Sequence, residues 1–213
     1  MYNTVIFDLD GTLLNTLEDL CDSTNYALRQ HGYPERSIGE VRRFVGNGVR
    51  KLVERALPGE VSDREFERVF NTFRTYYQLH CNDKTGPYGG IMDLLKELHD
   101  RGYTLGIASN KNRDAVIKLN NLYFDGIIDC AFGVAEGIMP KPDPSMISLL
   151  LKELDSDAGH TLYVGDSQVD IETAGNAGLD MVTVLWGFRD EEELREAGAG
   201  VFIREPMELL KYL

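Results

Sequence analysis

Val5-Ile6-Phe7-Asp8-Leu9-Asp10-Gly11-Thr12 reads as a strand closed by a turn. Val-Ile-Phe is β-branched and aromatic, the composition of a short strand buried on both faces. It then breaks into aspartate, glycine and threonine, which is turn chemistry. Two later stretches end in the same way. Gly106-Ile107-Ala108 runs into Ser109-Asn110-Lys111, and Leu162-Tyr163-Val164 runs into Gly165-Asp166-Ser167.

Between the first of these strands and the second the pattern changes. Leu17, Leu20, Cys21, Thr24 and Leu28 follow helical spacing, and Gly32 with Pro34 stops that helix. Ser37 to Glu40 and Ser62 to Glu65 read as capping boxes opening further helices. Phe66, Phe70, Phe73 and Tyr77 form an aromatic stripe expected to be helical core. Beyond this stretch, helical and extended segments alternate. Strands are expected at 103–108, 161–164, 181–185 and 201–203, with short extended pieces at 127–128 and 131–132. Asp143 with Pro144 opens a helix, and Gly178 closes another. Alternation of this kind implies an α/β fold, a doubly wound and mostly parallel sheet with helices on both faces. The expected organisation is a core domain of residues 1–14 and 83–213, with a helical domain of residues 15–82 inserted after the first strand.

At 213 residues the chain can bury a core without disulfides or a structural metal. An apolar share of 43% and a charged share of 27% exclude disordered and fibrous classes. Twenty-two basic against thirty-five acidic residues give a formal charge of −13. Such a surface repels nucleic-acid backbones and anionic lipid, so neither nucleic acid nor membrane is expected as a partner. Cys21, Cys81 and Cys130 are odd in number and lack metal spacing, which suits reduced thiols. With no signal-like start and no long apolar run, a cytoplasmic location is expected.

In open parallel sheets, ligands bind outside the carboxyl ends of the strands. Three separated stretches of this chain are therefore expected to meet at one rim. Asp8, Asp10, Asp166 and Asp170 would gather there and repel one another. A hard divalent cation removes that conflict, and Mg²⁺ suits a few carboxylates together with phosphate and water. Ser109 and Asn110 add neutral donors, and Lys141, between Pro140 and Pro142, adds a cation. Such a set would bind a phosphoryl group and stabilise its charge in transfer. A carboxylate also serves as a covalent nucleophile for phosphoryl groups. Asp166-Ser167 has a second reading, as a cap for the helix that follows.

Taken together, these motifs resemble the haloacid dehalogenase-like superfamily, and the likeness extends over essentially the whole chain. Asp8-x-Asp10-Gly11-Thr12 is similar to its first motif, Ser109 to its second, Lys141-Pro142-x-Pro144 to its third and Gly165-Asp166-Ser167-x-x-Asp170 to its fourth. The inserted helices resemble the family's small cap. Within the superfamily, Val45-Gly46-Asn47-Gly48 and Trp186-Gly187-Phe188 resemble phosphoglycolate phosphatases most. Asn15-Thr16 departs from the Asp-Ser of many members.

The resemblance implies an Mg²⁺-dependent phosphatase acting on a small phosphorylated metabolite. Asp8 would be the nucleophile and form an aspartyl-phosphate. Asp10 would be general acid and then general base. The metal would sit on the Asp8 carboxylate, the Asp10 backbone carbonyl and Asp166, with Asp170 supporting these ligands by hydrogen bonding or through a water. Ser109, Asn110 and Lys141 would hold phosphoryl oxygens, and Lys141 would also offset the charge of Asp8. Thr12, counted with the phosphate-binding group, would orient Asp10 and the turn. A phosphomutase, a pyrophosphatase, a nucleotide phosphatase and a non-catalytic binding protein on the same fold are the alternatives.

Gly46-Asn47-Gly48 precedes an expected helix start. It reads either as an anion site aided by Arg50 or Lys51, or as a tight turn followed by solvated bases. His31, His80, His99 and His160 are scattered without metal spacing and are expected at or near the surface.

Overall fold

A computed structural model describes residues 1–213. In chain order the elements begin with β1 (Thr4–Phe7), β2 (Leu14–Asn15), α1 (Leu17–Gln30), α2 (Ile38–Phe44), α3 (Gly48–Ala56) and α4 (Asp63–His80). Next come β3 (Gly86–Pro87), α5 (Ile91–Asp100), β4 (Thr104–Asn112), α6 (Arg113–Tyr123), β5 (Cys130–Val134) and α7 (Ser145–Glu153). The chain closes with β6 (Thr161–Gly165), α8 (Gln168–Ala177), β7 (Asp180–Val184), α9 (Glu191–Glu196) and β8 (Phe202–Ile203). The last helical turn, Pro206–Lys211, is a 3₁₀ helix rather than an α-helix.

Six strands form one parallel sheet in the order β5-β4-β1-β6-β7-β8. β1 lies between β4 and β6, and all four of its residues are buried. Alternation along the strand divides its side chains between two apolar layers. Val5 and Phe7 pack in the layer of Ile91, Leu94, Leu98, Val116 and Leu119. Ile6 points the other way, into the layer of Met146, Ile147, Leu150 and Tyr163. An uninterrupted Val-Ile-Phe run is what burial on both faces requires.

Register fixes the rim. Phe7 is level with Ile107 on β4 and with Val164 on β6. The residues just beyond those three positions emerge on the same edge of the sheet. The chain runs outward from β1 to β4 and β5, then returns to β6 on the other side of β1, which makes the end of β1 the point where strand order reverses.

The chain divides into two compact units, Met1–Leu14 with Pro87–Leu213, and Asn15–Gly86. The second division falls after Gly86, four residues later than the sequence pattern places it. Asp19 of α1 explains the delay. Its carboxylate accepts the Lys84 N–H at 3.0 Å, the Thr85 N–H at 2.9 Å and the Thr85 hydroxyl at 2.7 Å, tying 84–85 to the helical unit. Within that unit Ser37 closes a full capping box with Glu40, and Ser62 accepts the Glu65 N–H. The aromatic stripe is only half core: Phe73 and Tyr77 are buried, whereas Phe66 and Phe70 are half-exposed beneath the Arg50 guanidinium.

Two extended segments differ from the sequence pattern. The pieces at 127–128 and 131–132 resolve into one strand, β5, with Ile127 in a turn that donates its N–H to Phe124 O. β4 does not stop at Ala108 but continues to Asn112, with an irregularity against β5 between Ser109 and Asn112. All three cysteines are free thiols, and no helix is long and apolar enough to cross a membrane.

Candidate active site

Asp8 follows β1 and donates its own N–H to Val164 O at 2.9 Å, so the strand ladder continues to the nucleophile candidate. Asp166 directly follows the last residue of β6. Asp170 lies one helical turn further, inside α8, where it completes a capping box with Ser167. The capping reading of this segment applies: Ser167 caps the helix, and that cap fixes Asp170 beside Asp8 and Asp166. Asp8, Asp166 and Asp170 are all buried, with one carboxylate oxygen from each within 4.8 Å of the others.

Lys141 reaches into this cluster from the β5–α7 connection. Its Nζ donates to Asp8 Oδ1 at 2.6 Å, Asp170 Oδ1 at 2.8 Å, Ala108 O at 2.9 Å and the Tyr163 hydroxyl at 2.9 Å. Tyr163 in turn donates to Asp170 Oδ1 at 3.0 Å. The one ammonium pairs directly with two of the three carboxylates, Asp8 and Asp170. Burial, opposed by Lys141 and reinforced by Asp170 and Asp166, pushes Asp8 well above the usual carboxylate range. Burial, then Asp170, pushes Asp166 up to about 7. Burial alone would pull Lys141 down, but Asp170 and Asp8 outweigh it and hold the ammonium well above its ordinary value.

The donor set fits Mg²⁺. It consists of hard carboxylate oxygens converging in a buried space, where their mutual repulsion favours a cation. Hydrogen bonding separates the roles of the three. Asp170 spends Oδ1 on Lys141 and Tyr163 and Oδ2 on the Ser167 N–H and hydroxyl, which suits support rather than direct ligation. Asp8 gives one oxygen to Lys141, and Asp166 gives one to the Phe188 N–H at 2.6 Å, so each retains a second oxygen for a cation. Gly11 lets the backbone pass against Asp166: its φ is +100°, and a Cβ there would overlap the Asp166 carboxylate.

Asp10 stands apart from the three-carboxylate cluster. Its Oδ1 accepts from Lys111 Nζ at 2.7 Å, and the Lys111 side chain is only 3% exposed. Ser109 is buried, and its hydroxyl oxygen accepts the Lys111 N–H at 3.1 Å, leaving its proton for another acceptor.

Two residues expected to hold phosphate make backbone contacts of their own. The Asn110 side chain is turned to the Lys141 backbone, donating to its O at 3.0 Å and accepting its N–H at 2.7 Å. It orders the lysine loop, because both ends of its amide match one residue's backbone groups. Thr12 is fully buried, and its Oγ1 makes no hydrogen bond to Asp10. Its backbone carbonyl instead accepts the Trp186 indole N–H at 2.9 Å.

Lys111, Tyr163 and the Phe188 N–H are site groups that the sequence motifs left without a role. Lys111 carried no usable signal, because the irregular end of β4 that aims it is set against the neighbouring strand β5. In the helical unit, Asn47 precedes α3 without a side-chain cap and accepts from Arg55 at 2.8 Å. Arg50 pairs with Glu67 and Lys51 with Glu54, so both bases are engaged with local carboxylates. His31 and His80 are partly buried, and His99 and His160 are exposed.

A parallel α/β sheet whose central strand ends in a lysine-bound aspartate, with two more aspartates beside it, defines a class of hydrolases. The chain belongs to the haloacid dehalogenase-like hydrolase family, which residues 5–184 match. It is 34% identical to a phosphoglycolate phosphatase of Mesorhizobium japonicum over 87% of this chain and 84% of that protein. It is 31% identical to an N-acetylmuramic acid 6-phosphate phosphatase of Pseudomonas aeruginosa over 98% of this chain and 93% of that protein. A crystal structure of a candidate phosphoglycolate phosphatase from Lactobacillus delbrueckii subsp. bulgaricus superposes with a TM-score of 0.94 at 35% identity. That superposition covers 99% of this chain and 98% of the other.

Proposed function

We propose that this chain is an Mg²⁺-dependent phosphatase of small phosphate monoesters, working through an aspartyl-phosphate on Asp8. The observation that carries the reading is the separation of two aspartates two residues apart. Asp8 is held by Lys141 inside the carboxylate cluster, while Asp10 is held outside it by Lys111. This separation supports nucleophilic attack by the first and proton transfer by the second.

In the first step an Asp8 oxygen bonds to phosphorus, the bond to the leaving oxygen breaks, and Asp10 gives that oxygen its proton. In the second, water attacks phosphorus, Asp10 takes the water's proton, and the bond to Asp8 breaks. Ser109 donates its hydroxyl to a phosphoryl oxygen, and Lys141 holds Asp8 and balances charge at the same centre. The Asp8 and Asp166 carboxylates and the Asp10 carbonyl would hold the metal, with Asp170 behind them. Bound there, Mg²⁺ supplies positive charge to the cluster and to the phosphoryl oxygens.

The helical unit is assigned the role of a cap that selects the substrate. The two relatives are named for phosphate esters of carboxylic acids, which favours a phosphorylated hydroxy acid of the phosphoglycolate kind. The test is phosphate release from a panel of 2-phosphoglycolate, sugar phosphates, nucleotides and pyrophosphate, with and without Mg²⁺. Wild type should require Mg²⁺ and prefer a small carboxylated ester. Asp8→Asn should lose about 10³-fold or more of kcat. Equal rates for wild type and Asp8→Asn would sink the reading.

A further inference from the structure

Lys111 is a buried cation that the mechanism above does not consume. It reaches its place through the irregular end of β4. Ser109 is level with Gly133 of β5, and Asn112 is level with the next residue, Val134, so two extra residues are accommodated on β4. A bulge of this kind re-aims side chains. Gly133 makes room for it: a Cβ there would lie 2.6 Å from Lys111 O and 2.8 Å from Val116 Cγ2. The Ser109 hydroxyl accepts the Lys111 N–H at 3.1 Å and pins the turn of the backbone. The result is Nζ at 2.7 Å from Asp10 Oδ1, with the lysine 3% and the aspartate 18% exposed on their side chains.

We infer that Lys111 is a positioning residue that holds the Asp10 carboxyl in the orientation from which it protonates the leaving oxygen. An aspartate side chain on a turn has two soft torsions, and a wrong rotamer removes the proton donor from reach. An ammonium on one oxygen fixes the carboxyl plane and leaves the other oxygen to carry the transferred proton. In this role Lys111 acts through Asp10, whose Oδ1 its Nζ meets at 2.7 Å. The inference rests on the reading of Asp10 as the acid, and the test separates the two.

General-acid assistance matters most when the leaving group is a poor one. An alkoxide must be protonated as it departs, whereas a dinitrophenolate leaves unaided. The experiment measures kcat/KM for 2-phosphoglycolate or another alkyl phosphate and for 2,4-dinitrophenyl phosphate, with Mg²⁺ present. The proteins are wild type, Asp10→Asn, Lys111→Met, Lys111→Gln and the double variant Asp10→Asn/Lys111→Met. Lys111→Met should lose about 100-fold on the alkyl ester and no more than about 3-fold on the dinitrophenyl ester, the size expected of a displaced general acid. Added to Asp10→Asn, it should cost little more, because both changes remove one function. Lys111→Gln, which retains a hydrogen-bond donor, should recover part of the loss.

Equal losses on both esters in Lys111→Met and Lys111→Gln, or full additivity in the double variant, would overturn the role given to Lys111. If Asp10→Asn itself shows no dependence on leaving group, the reading of Asp10 fails instead. Melting curves of each variant with Mg²⁺ report whether it is folded. If Lys111→Met is not, the comparison rests on Lys111→Gln, which must still show the leaving-group dependence.

Discussion

Lys141 Nζ stands 2.8 Å from Asp170 Oδ1, and both side chains are 2% exposed. The same nitrogen is 2.6 Å from Asp8, so one ammonium links the nucleophile candidate to the helix cap behind it. Removing one partner of a buried ion pair leaves charge without compensation, at about 3–5 kcal/mol. Lys141→Met should therefore unfold at lower urea by about 3 kcal/mol and lose detectable phosphate release. Lys141→Arg should fold better than Lys141→Met yet stay nearly inactive, because a planar guanidinium cannot reproduce four acceptors around one nitrogen. Full activity in the arginine variant would contradict this account.

How much of this was legible in the sequence depends on the range of the interactions involved. β1 was legible because burial on both faces needs an unbroken apolar run, and Val5-Ile6-Phe7 is one. The gathering of Asp8 and Asp166 at one rim followed from parallel order, which places strand ends together wherever they fall in the chain. The extension of β4 was not legible. Whether Ser109 to Lys111 form a loop or a bulged strand is set by Gly133 on a neighbouring strand, not by local propensity. The pairing of the Asn110 amide with the Lys141 backbone was not legible for a similar reason, since an amide at a strand end fits phosphate or backbone equally well until its neighbour is known. Asp19 carries no local marker in the sequence; only a segment 65 residues away makes it a buried acceptor.

The pH response of stability should invert with metal. Asp166 sits at about 7 in the fold, far above the ordinary value near 4 that it has in the unfolded chain. The folded state thus binds more protons between those values, and metal-free stability declines as pH rises through 7. Mg²⁺ needs the ionised carboxylates, so its stabilisation grows over the same range. Melting temperatures at pH 6 and pH 8 check this. The metal-free protein should melt lower at pH 8, and the gain from Mg²⁺ should be larger there. A gain that shrinks with rising pH would count against cation binding at this cluster.

Gly11 is the backbone position where a single methyl group should damage metal binding. Its φ of +100° is strained for any L side chain, and the added Cβ would displace the Asp166 carboxylate. Strain of this kind costs about 1–3 kcal/mol. Gly11→Ala should lower stability by that amount and weaken Mg²⁺ binding at least tenfold, read from the metal's effect on the melting temperature. Retained stability with unchanged Mg²⁺ response would show that the turn has room the structure does not display.

Asp19 should anchor the end of the helical unit. It is 2% exposed and accepts from the Lys84 N–H, the Thr85 N–H and the Thr85 hydroxyl. Hydrogen bonds to a charged acceptor contribute about 1.5–3 kcal/mol each in favourable cases, and loss of an acceptor adds the desolvation of its donors. Asp19→Ala should destabilise by about 2–3 kcal/mol in urea unfolding, and Asp19→Asn by about half as much, since one oxygen remains. Hydrogen exchange distinguishes this local clasp from general weakening. In both variants the amides of Lys84 and Thr85 should exchange faster, while those of β1 and β6, in the other unit, should keep their protection. Unchanged exchange at Lys84 and Thr85 would mean that Asp19 does not hold that segment in solution.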